Sequence, residues 1–404
     1  SGNGVTQDAT NLQNLINAVP AGSTIKFEGG NFAINTALTF SKLLFFEGIN
    51  ASITTTANIQ IFSMLSGAEK SKFEGLRFFG NSAGPSQYAI YFNSGGLFEV
   101  NRCSFNSFTG GGGIAAINIE FSNELGGTIN DCEFYNNNIG VDLKSRGEYV
   151  KIIASTFIGN TKAIVDAAGN SIINGNVISY NTNGIELSYN INSGKDIITN
   201  NHITHNTIYA VNIYSVTNGV TLSDNNIIYG TIRTATTTGV VIHGGLINVD
   251  AYIFDNNTDF RISGVSFPNS LANTLTQTGT APIMENCYKL NGDRAAYVNT
   301  FYSEKNNYIA DGTFSVPKGY YIESITFENT TVNAVTGGIR IGTTAGGTEV
   351  IVSQALGANE LIEVYDATIL KTIFSLTSAQ TLYIQAVTSW NSANVNMYIK
   401  LKQL

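Results

Sequence analysis

"NDCEFYNNNIGVDL" (130–143), "IASTFIGNTKAIVD" (153–166), "NGNVISYNTNGIEL" (174–187) and "TNNHITHNTIYAVNI" (199–213) are copies of one phrase, which "NRCSFNSF" (101–108) opens. An apolar anchor recurs at Phe105, Phe134, Phe157, Ile178 and Ile203, with spacings of 29, 23, 21 and 25 residues. Three places after each of the last four anchors stands Asn137, Asn160, Asn181 or Asn206. A period of this length, built from short strand-like runs, reads as coils of a right-handed parallel β-helix. Like positions then stack at the strand-pairing distance of ~4.8 Å. The anchors stack inward. Asn suits the bends because it tolerates left-handed backbone, and stacked side-chain amides hydrogen-bond along a ladder. The competing leucine-rich repeat requires a Leu-x-x-Leu-x-Leu phrase, which is absent.

Outward from this block the pattern loosens. "STIKFEGGNFAI" (23–34), "LTFSKLLFFEGI" (38–49), "ASITTTANIQIFSML" (51–65) and "KFEGLRFFGN" (72–81) alternate as strands do. Before them, Leu12, Leu15, Ile16 and Val19 stand at helical spacing, with Asp8 or Thr10 as cap. A short helix there closes the open end of the core, as terminal caps do in solenoids. Coils run on to about residue 268. Residues 269–310 read as a polar connecting stretch. From 311, strands alternate between Gly-rich turns and predict a β-sandwich. The expected class is therefore all-β: an N-terminal cap (1–22), a parallel β-helix (23–268), a connecting segment (269–310) and a C-terminal β-sandwich (311–404).

Composition removes several function classes. Charged residues are only 12% of the chain, yet Tyr and Phe number 19 and 23, which excludes disorder. Twenty-one basic against 29 acidic residues give a net charge of −8, without a Lys/Arg cluster, so nucleic-acid binding through bulk charge is not expected. No apolar run reaches the ~18–20 residues of a membrane helix. Three cysteines are too few for a disulfide framework. Cys103 and Cys132 share a phrase position on adjacent coils and are expected to stack inside as small hydrophobes.

The opening "DAT.LQ..I....AGSTIKF.GG.F.I", followed by Asn-rich coils, resembles the pectate-lyase-like β-helix superfamily, especially phage tailspikes and polysaccharide depolymerases. The resemblance covers about residues 1–300. It implies a carbohydrate substrate and, for tailspikes, a homotrimer. "VTGGIRIGTTAGGTEVIV" with "SWNSANVNMYIKLKQL" resembles C-terminal domains of tail fibres from phages of Bacteroidetes, which serve trimerisation or glycan binding. Trp390, the only Trp, reads as a core or turn aromatic in preference to a sugar platform.

The second strand of each coil carries the candidate chemistry. "AINIE" (116–120), "VDLKS" (141–145), "IVDAA" (164–168), "IELSY" (185–189) and "VNIYS" (211–215) align in register. Alternation sends Ile117, Val141, Ile164, Ile185 and Val211 to one face. The outward column becomes Asn118, Asp142, Val165, Glu186, Asn212. Two residues on it becomes Glu120, Lys144, Ala167, Ser188, Tyr214, with His243 as a further member. Asp166 falls on the inward side, which hints at a one-residue shift in that coil. Asp142 and Glu186 stand two coils apart, or ~9.6 Å along the axis. Inverting glycosidases place their carboxyls roughly 6.5–9.5 Å apart, one as general acid and one as base. Asp142, Glu186, Lys144 and Glu120 are thus the catalytic candidates, with Arg146, Tyr189, Tyr214, Asn118 and Asn212 lining the substrate. The bland alternative is a solvated face that blunts association.

Elimination is the second chemistry: Lys144 and Arg146 neutralise a uronate carboxyl while Lys144, a Tyr or a His takes the proton. No cofactor is required. Calcium has thin support, because Asp142 and Asp166 stand on one stretch and Asp131 and Glu133 on another. His202 and His205 read as surface-turn residues, since spacing of three on a bend gives no metal signature. The sequence reading is a virion-tail spike, homotrimeric, that binds and cleaves a bacterial surface polysaccharide, with hydrolysis favoured over elimination. A non-enzymatic receptor-binding spike and a secreted bacterial lyase or hydrolase stay open.

Overall fold

The structure is a computed structural model. It describes residues 3–80, 87–93, 96–110, 114–120, 126–144, 147–188, 195–217, 219–248, 251–257, 259–267, 275–279, 283–285, 288–289, 300–316, 320–364 and 380–403. The chain divides into two compact units, Ser1–Ala295 and Ala296–Leu404.

In the first unit most coils contribute three short strands, whereas Ser23–Ala33 and Leu44–Thr54 each run unbroken through the first two columns. In one coil the three strands are Phe98–Asn101, Ser104–Asn106 and Ala115–Ile119. Among the described residues the first two columns of strands join into one 23-stranded sheet, and the third column forms an 11-stranded sheet. The pairings of consecutive coils are parallel and in register: Phe105 on Phe134, Phe134 on Phe157, Phe157 on Ile178 and Ile178 on Ile203. The anchors are fully buried. The Phe78, Phe105, Phe134 and Phe157 rings stack at centroid distances of 5.0, 4.9 and 4.5 Å, within 10° of parallel. The matches of the anchors thus build a continuous interior.

The asparagines act as ladders, and the left-handed role falls to their neighbours. Asn137, Asn160, Asn181 and Asn206 are each at most 2% exposed. The Nδ2 of Asn137, Asn160 and Asn181 donates to the Oδ1 of the next Asn at 2.9–3.1 Å. The left-handed residue is the one before: Asn136, Tyr180 and His205 have φ of 53°, 56° and 53°. A second ladder of Asn176, Asn201 and Asn225 runs on the other bend. Cys103 and Cys132 occupy its continuation, buried and free. His205 is stacked between the exposed rings of Tyr180 and Tyr229, 5.0 and 4.6 Å away, in line with a surface turn.

A helix spans Ala9–Ala18. Ala9 and Ile16 are buried, whereas Leu15 is 43% exposed and does not belong to the core stripe. Gln13 explains what the helix does at this end. Its Oε1 accepts the Thr39 N–H at 2.8 Å and its Nε2 donates to the Thr39 carbonyl at 2.9 Å. The side-chain amide thereby occupies the open edge of the first third-sheet strand, Leu38–Phe40, which otherwise would template association. A strand precedes the helix: Asn3–Gln7 pairs with Ser23–Ala33.

The stretch expected to connect the two parts over 269–310 contains strands at both ends. Leu275–Gly279, Ile283–Glu285 and Tyr288–Lys289 continue the three columns of coils. Thr300–Tyr308 pairs with Val395–Gln403 in the second unit. Polar composition misled here, because a coil needs only one inward residue in two.

Among its described residues the second unit has two four-stranded antiparallel sheets. Ile325, Phe327, Met397 and Ile399 from one and Ile339, Ile341, Leu382 and Ile384 from the other share a core. This is the sandwich-like arrangement expected. Trp390 packs against that core and donates its Nε1–H to Asp311 Oδ1 at 2.7 Å, as a turn aromatic.

Candidate functional site

Parallel register fixes the outward columns of the third sheet. Asn118 pairs with Asp142, Asp142 with Val165, Val165 with Glu186 and Glu186 with Asn212. The column extends to Tyr91 on one side and Arg233 on the other. The second column follows in step: Glu120 N–H donates to the Phe92 carbonyl, Lys144 N–H to Ile119, Ala167 N–H to Leu143, and Ser188 pairs with Tyr214. Asp142 and Glu186 therefore do share one column two coils apart, with the apolar Val165 between them.

Two expectations need correction. Asp166 causes no shift of register: it pairs with Leu143 and Leu187 and lies fully buried on the inner side. Its Oδ1 accepts the N–H groups of Ala168 and Gly169 at 2.8 and 3.0 Å, so it closes the turn after its strand. Burial raises its pKa against those hydrogen bonds. Asp142 and Asp166 thus stand on opposite sides of the sheet. Among the described residues no three His, Cys, Asp or Glu side chains come together as metal ligands. His243 ends a first-column strand, paired with Ser223 and Ser263, and is not on the third sheet. Arg146 and Tyr189 lie outside the described residues.

The site contains a third outward row that strict alternation hides. Tyr88, Lys162 and Asn183 occupy like positions at the strand starts. Alternation assigns them to the inner side. Yet Lys162 Nζ lies 2.8 Å from Glu186 Oε1. The reason is the small residue that follows each of them. Ala89, Ala163 and Gly184 are buried, and so are the next residues, Ile90, Ile164 and Ile185. A Cβ on Gly140 would meet the interior ring of Phe157 at 2.9 Å. Two successive residues therefore face in, and the parity of the strand start is reversed. The recurrence of Ala or Gly at this one place is the signal that marks the reversal.

Each carboxylate has a lysine. Lys144 Nζ is 2.5 Å from Asp142 Oδ2, and Lys162 pairs with Glu186. The Tyr214 hydroxyl also donates to Glu186 Oε1 at 3.4 Å. Asp142 is 1% exposed. Burial pushes its carboxyl above the ordinary range, and the two lysines oppose this without cancelling it. Asn118 and Asn212 are also buried, and among the described residues neither Oδ1 has a hydrogen-bond donor. Such acceptors are costly unless something else serves them. Glu120 is exposed and accepts from the Tyr91 hydroxyl at 3.1 Å. Burial and Glu120 push the Tyr91 phenol up to about 12. The Tyr88 ring stacks on Tyr91 with centroids 5.7 Å apart. Arg233 is half-buried at the far end of the column.

Residues 64–227 match the family model described as the right-handed beta helix region. No curated protein matches the chain by sequence. Among solved structures, PfbA, a surface adhesin of Streptococcus pneumoniae, superposes with a TM-score of 0.52 at 13% identity, over 71% of this chain and 87% of that one. A double mutant of the tailspike protein of E. coli bacteriophage HK620 gives 0.50 at 10% identity, over 100% of this chain and 91% of that one. The A-module of the Azotobacter vinelandii mannuronan C-5 epimerase AlgE4 gives 0.46 at 15% identity, over 72% and 93%. Among the described residues no helix is long and apolar enough to cross a membrane. The chain is thus similar in fold to the adhesin and the tailspike, and that fold is a right-handed parallel β-helix.

Proposed function

We propose that the outward face of the third sheet binds a polysaccharide and hydrolyses it, with Asp142 as general acid and Glu186 as general base. The observation that carries this reading is the shared column of the two carboxylates, ~9.6 Å apart along the axis with Val165 between them. That separation leaves room for a water and suits an inverting displacement. Asp142, whose burial favours the protonated form, gives its proton to the leaving glycosidic oxygen. Lys144 then stands beside the carboxylate that forms. Glu186, held by Lys162 and Tyr214, takes a proton from the water that attacks the anomeric carbon on the opposite face. Asn118 and Asn212 offer their free Oδ1 atoms to sugar hydroxyls.

The wider role we infer is that of a homotrimeric tailspike acting on a bacterial surface polysaccharide at the virion tail. Its support is the likeness in fold to the HK620 tailspike across both units. A native mass near three times 43.2 kDa is expected by light scattering. A native mass near 43.2 kDa would instead favour a secreted monomeric enzyme.

The test is reducing-end release from a panel of purified bacterial surface polysaccharides. Wild type is expected to cleave at least one, and proton NMR of fresh product should show inversion. Asp142→Asn and Glu186→Gln should each lose turnover by about a hundred- to ten-thousand-fold while still binding the chain. Wild-type rates in both variants would sink the assignment. Binding without cleavage by wild type would reduce the protein to a receptor-binding spike.

A further inference from the structure

We infer that a slot at the corner between the third and first columns binds an acidic sugar unit, separately from the Asp142–Glu186 face. This rests on the reading that the chain binds a polysaccharide. The slot has a volume of about 550 Å³, within the range of small-ligand sites. It is formed where the four third-sheet strands that carry Ser63, Tyr91, Asn118 and Asp142 turn into the first column.

Its origin lies in two glycines. Gly126 and Gly127 lie between Leu97 on one neighbouring coil and Tyr149 on the other. Gly126 is left-handed at φ 32°, and a Cβ there would lie 2.9 Å from Tyr149 Cβ. A Cβ on Gly127 would lie 2.1 Å from the Phe98 ring. Packing therefore forbids side chains at these two positions. The flanking coils stand about 9.6 Å apart, two ladder spacings. Leu97 and Tyr149 are 50% and 51% exposed, so apolar walls face the gap.

The polar groups at the slot select charge. Glu99 is already paired with Lys72 at 3.4 Å and accepts from Asn101 Nδ2 at 3.3 Å. Lys70 and Lys151 also line the slot, and among the described residues neither has a carboxylate partner. Thr128 adds a hydroxyl. An aromatic face, a hydroxyl and two uncompensated ammonium groups fit a pyranose that packs its C–H face on Tyr149 and turns a carboxylate to Lys70 and Lys151. A neutral sugar would leave both charges unserved.

The experiment titrates the full chain with sodium glucuronate and, separately, with glucose, by ligand-observed NMR. Saturable glucuronate binding is expected, at least tenfold tighter than glucose. Tyr149→Ala and Lys151→Gln should each weaken it at least fivefold. Both side chains are exposed, and an unchanged circular dichroism spectrum confirms the fold. Asp142→Asn should leave glucuronate binding unchanged. Equal binding of the two sugars, or glucuronate binding that both slot variants retain, would overturn the inference. Glucuronate binding lost with Tyr149→Ala in a protein that cleaves no polysaccharide would support the slot and overturn only the hydrolase reading.

Discussion

Lys162 Nζ and Glu186 Oε1 lie 2.8 Å apart across adjacent coils, although alternation places Lys162 on the inner side of its strand. The contact exists because Ala163 and Ile164 both face in. It sets the position of the carboxylate assigned as base. Lys162→Met is expected to lower kcat by roughly a hundredfold, the scale of a misplaced catalytic group. Lys162→Arg should recover much of the loss, because it restores a cation at that end. Equal, unimpaired kcat in both variants would show that the ion pair is only surface charge.

Asp142 couples function to stability with a definite sign. Burial raises its folded-state pKa above the ordinary value of 3.8. Between the unfolded and folded pKa values the folded chain holds a proton that the unfolded chain has lost. Stability therefore falls as pH rises through that window, and the buried carboxylate remains a cost at pH 7. Asn carries no such cost, and Lys144, 40% exposed, tolerates the loss of its partner. Asp142→Asn should thus melt higher than wild type at pH 7, with the difference closing as pH falls toward about 4. A variant that melts lower at pH 7 by differential scanning calorimetry would contradict this account.

The Asn ladder makes a separate prediction. Asn160 Nδ2 donates to the Phe134 carbonyl at 3.0 Å and to Asn181 Oδ1 at 2.9 Å, and its Oδ1 accepts both the N–H and Nδ2 of Asn137 at 2.9 Å. Asn160→Ala orphans several buried groups, each worth about 1–3 kcal/mol. A loss of about 3 kcal/mol or more is expected in urea unfolding. Asn160→Asp should do no better, since it keeps the acceptor but loses the donor. A loss under about 1 kcal/mol for Ala would show that water replaces the amide.

These residues also mark what the sequence could tell. The Phe and Ile anchors and the Asn column were legible, since identical positions repeat and their stacking follows from strand spacing alone. The Asp142–Glu186 column was legible for the same reason. Lys162 and Tyr88 were not, because one small residue per coil reverses parity, and alternation carries no warning of a double inward step. Gln13 was not legible either: its role depends on the strand edge at Thr39, which only the folded helix brings within reach. Arg233 required the register past Tyr209, where the pairing shifts by one residue.

Trp390 gives a way to follow the second unit alone, because it is the only Trp in the chain. Asp311 holds it: Oδ1 accepts from Trp390 Nε1 at 2.7 Å and from the Ala386 N–H at 3.2 Å, and Oδ2 accepts from Gln385 Nε2 at 3.0 Å. Tyr308 stacks beside the indole at 6.5 Å. Asp311→Ala removes three hydrogen bonds from one turn, at about 1 kcal/mol each for bonds of ordinary net strength. The fluorescence-monitored midpoint should fall by several degrees, with emission shifted to the red. The far-ultraviolet transition of the coils should stay in place, because Tyr308, Asp311, Gln385, Ala386 and Trp390 all belong to the second unit. A common fall in both transitions would mean that the two units unfold as one cooperative body, and that Trp390 reports on the whole chain.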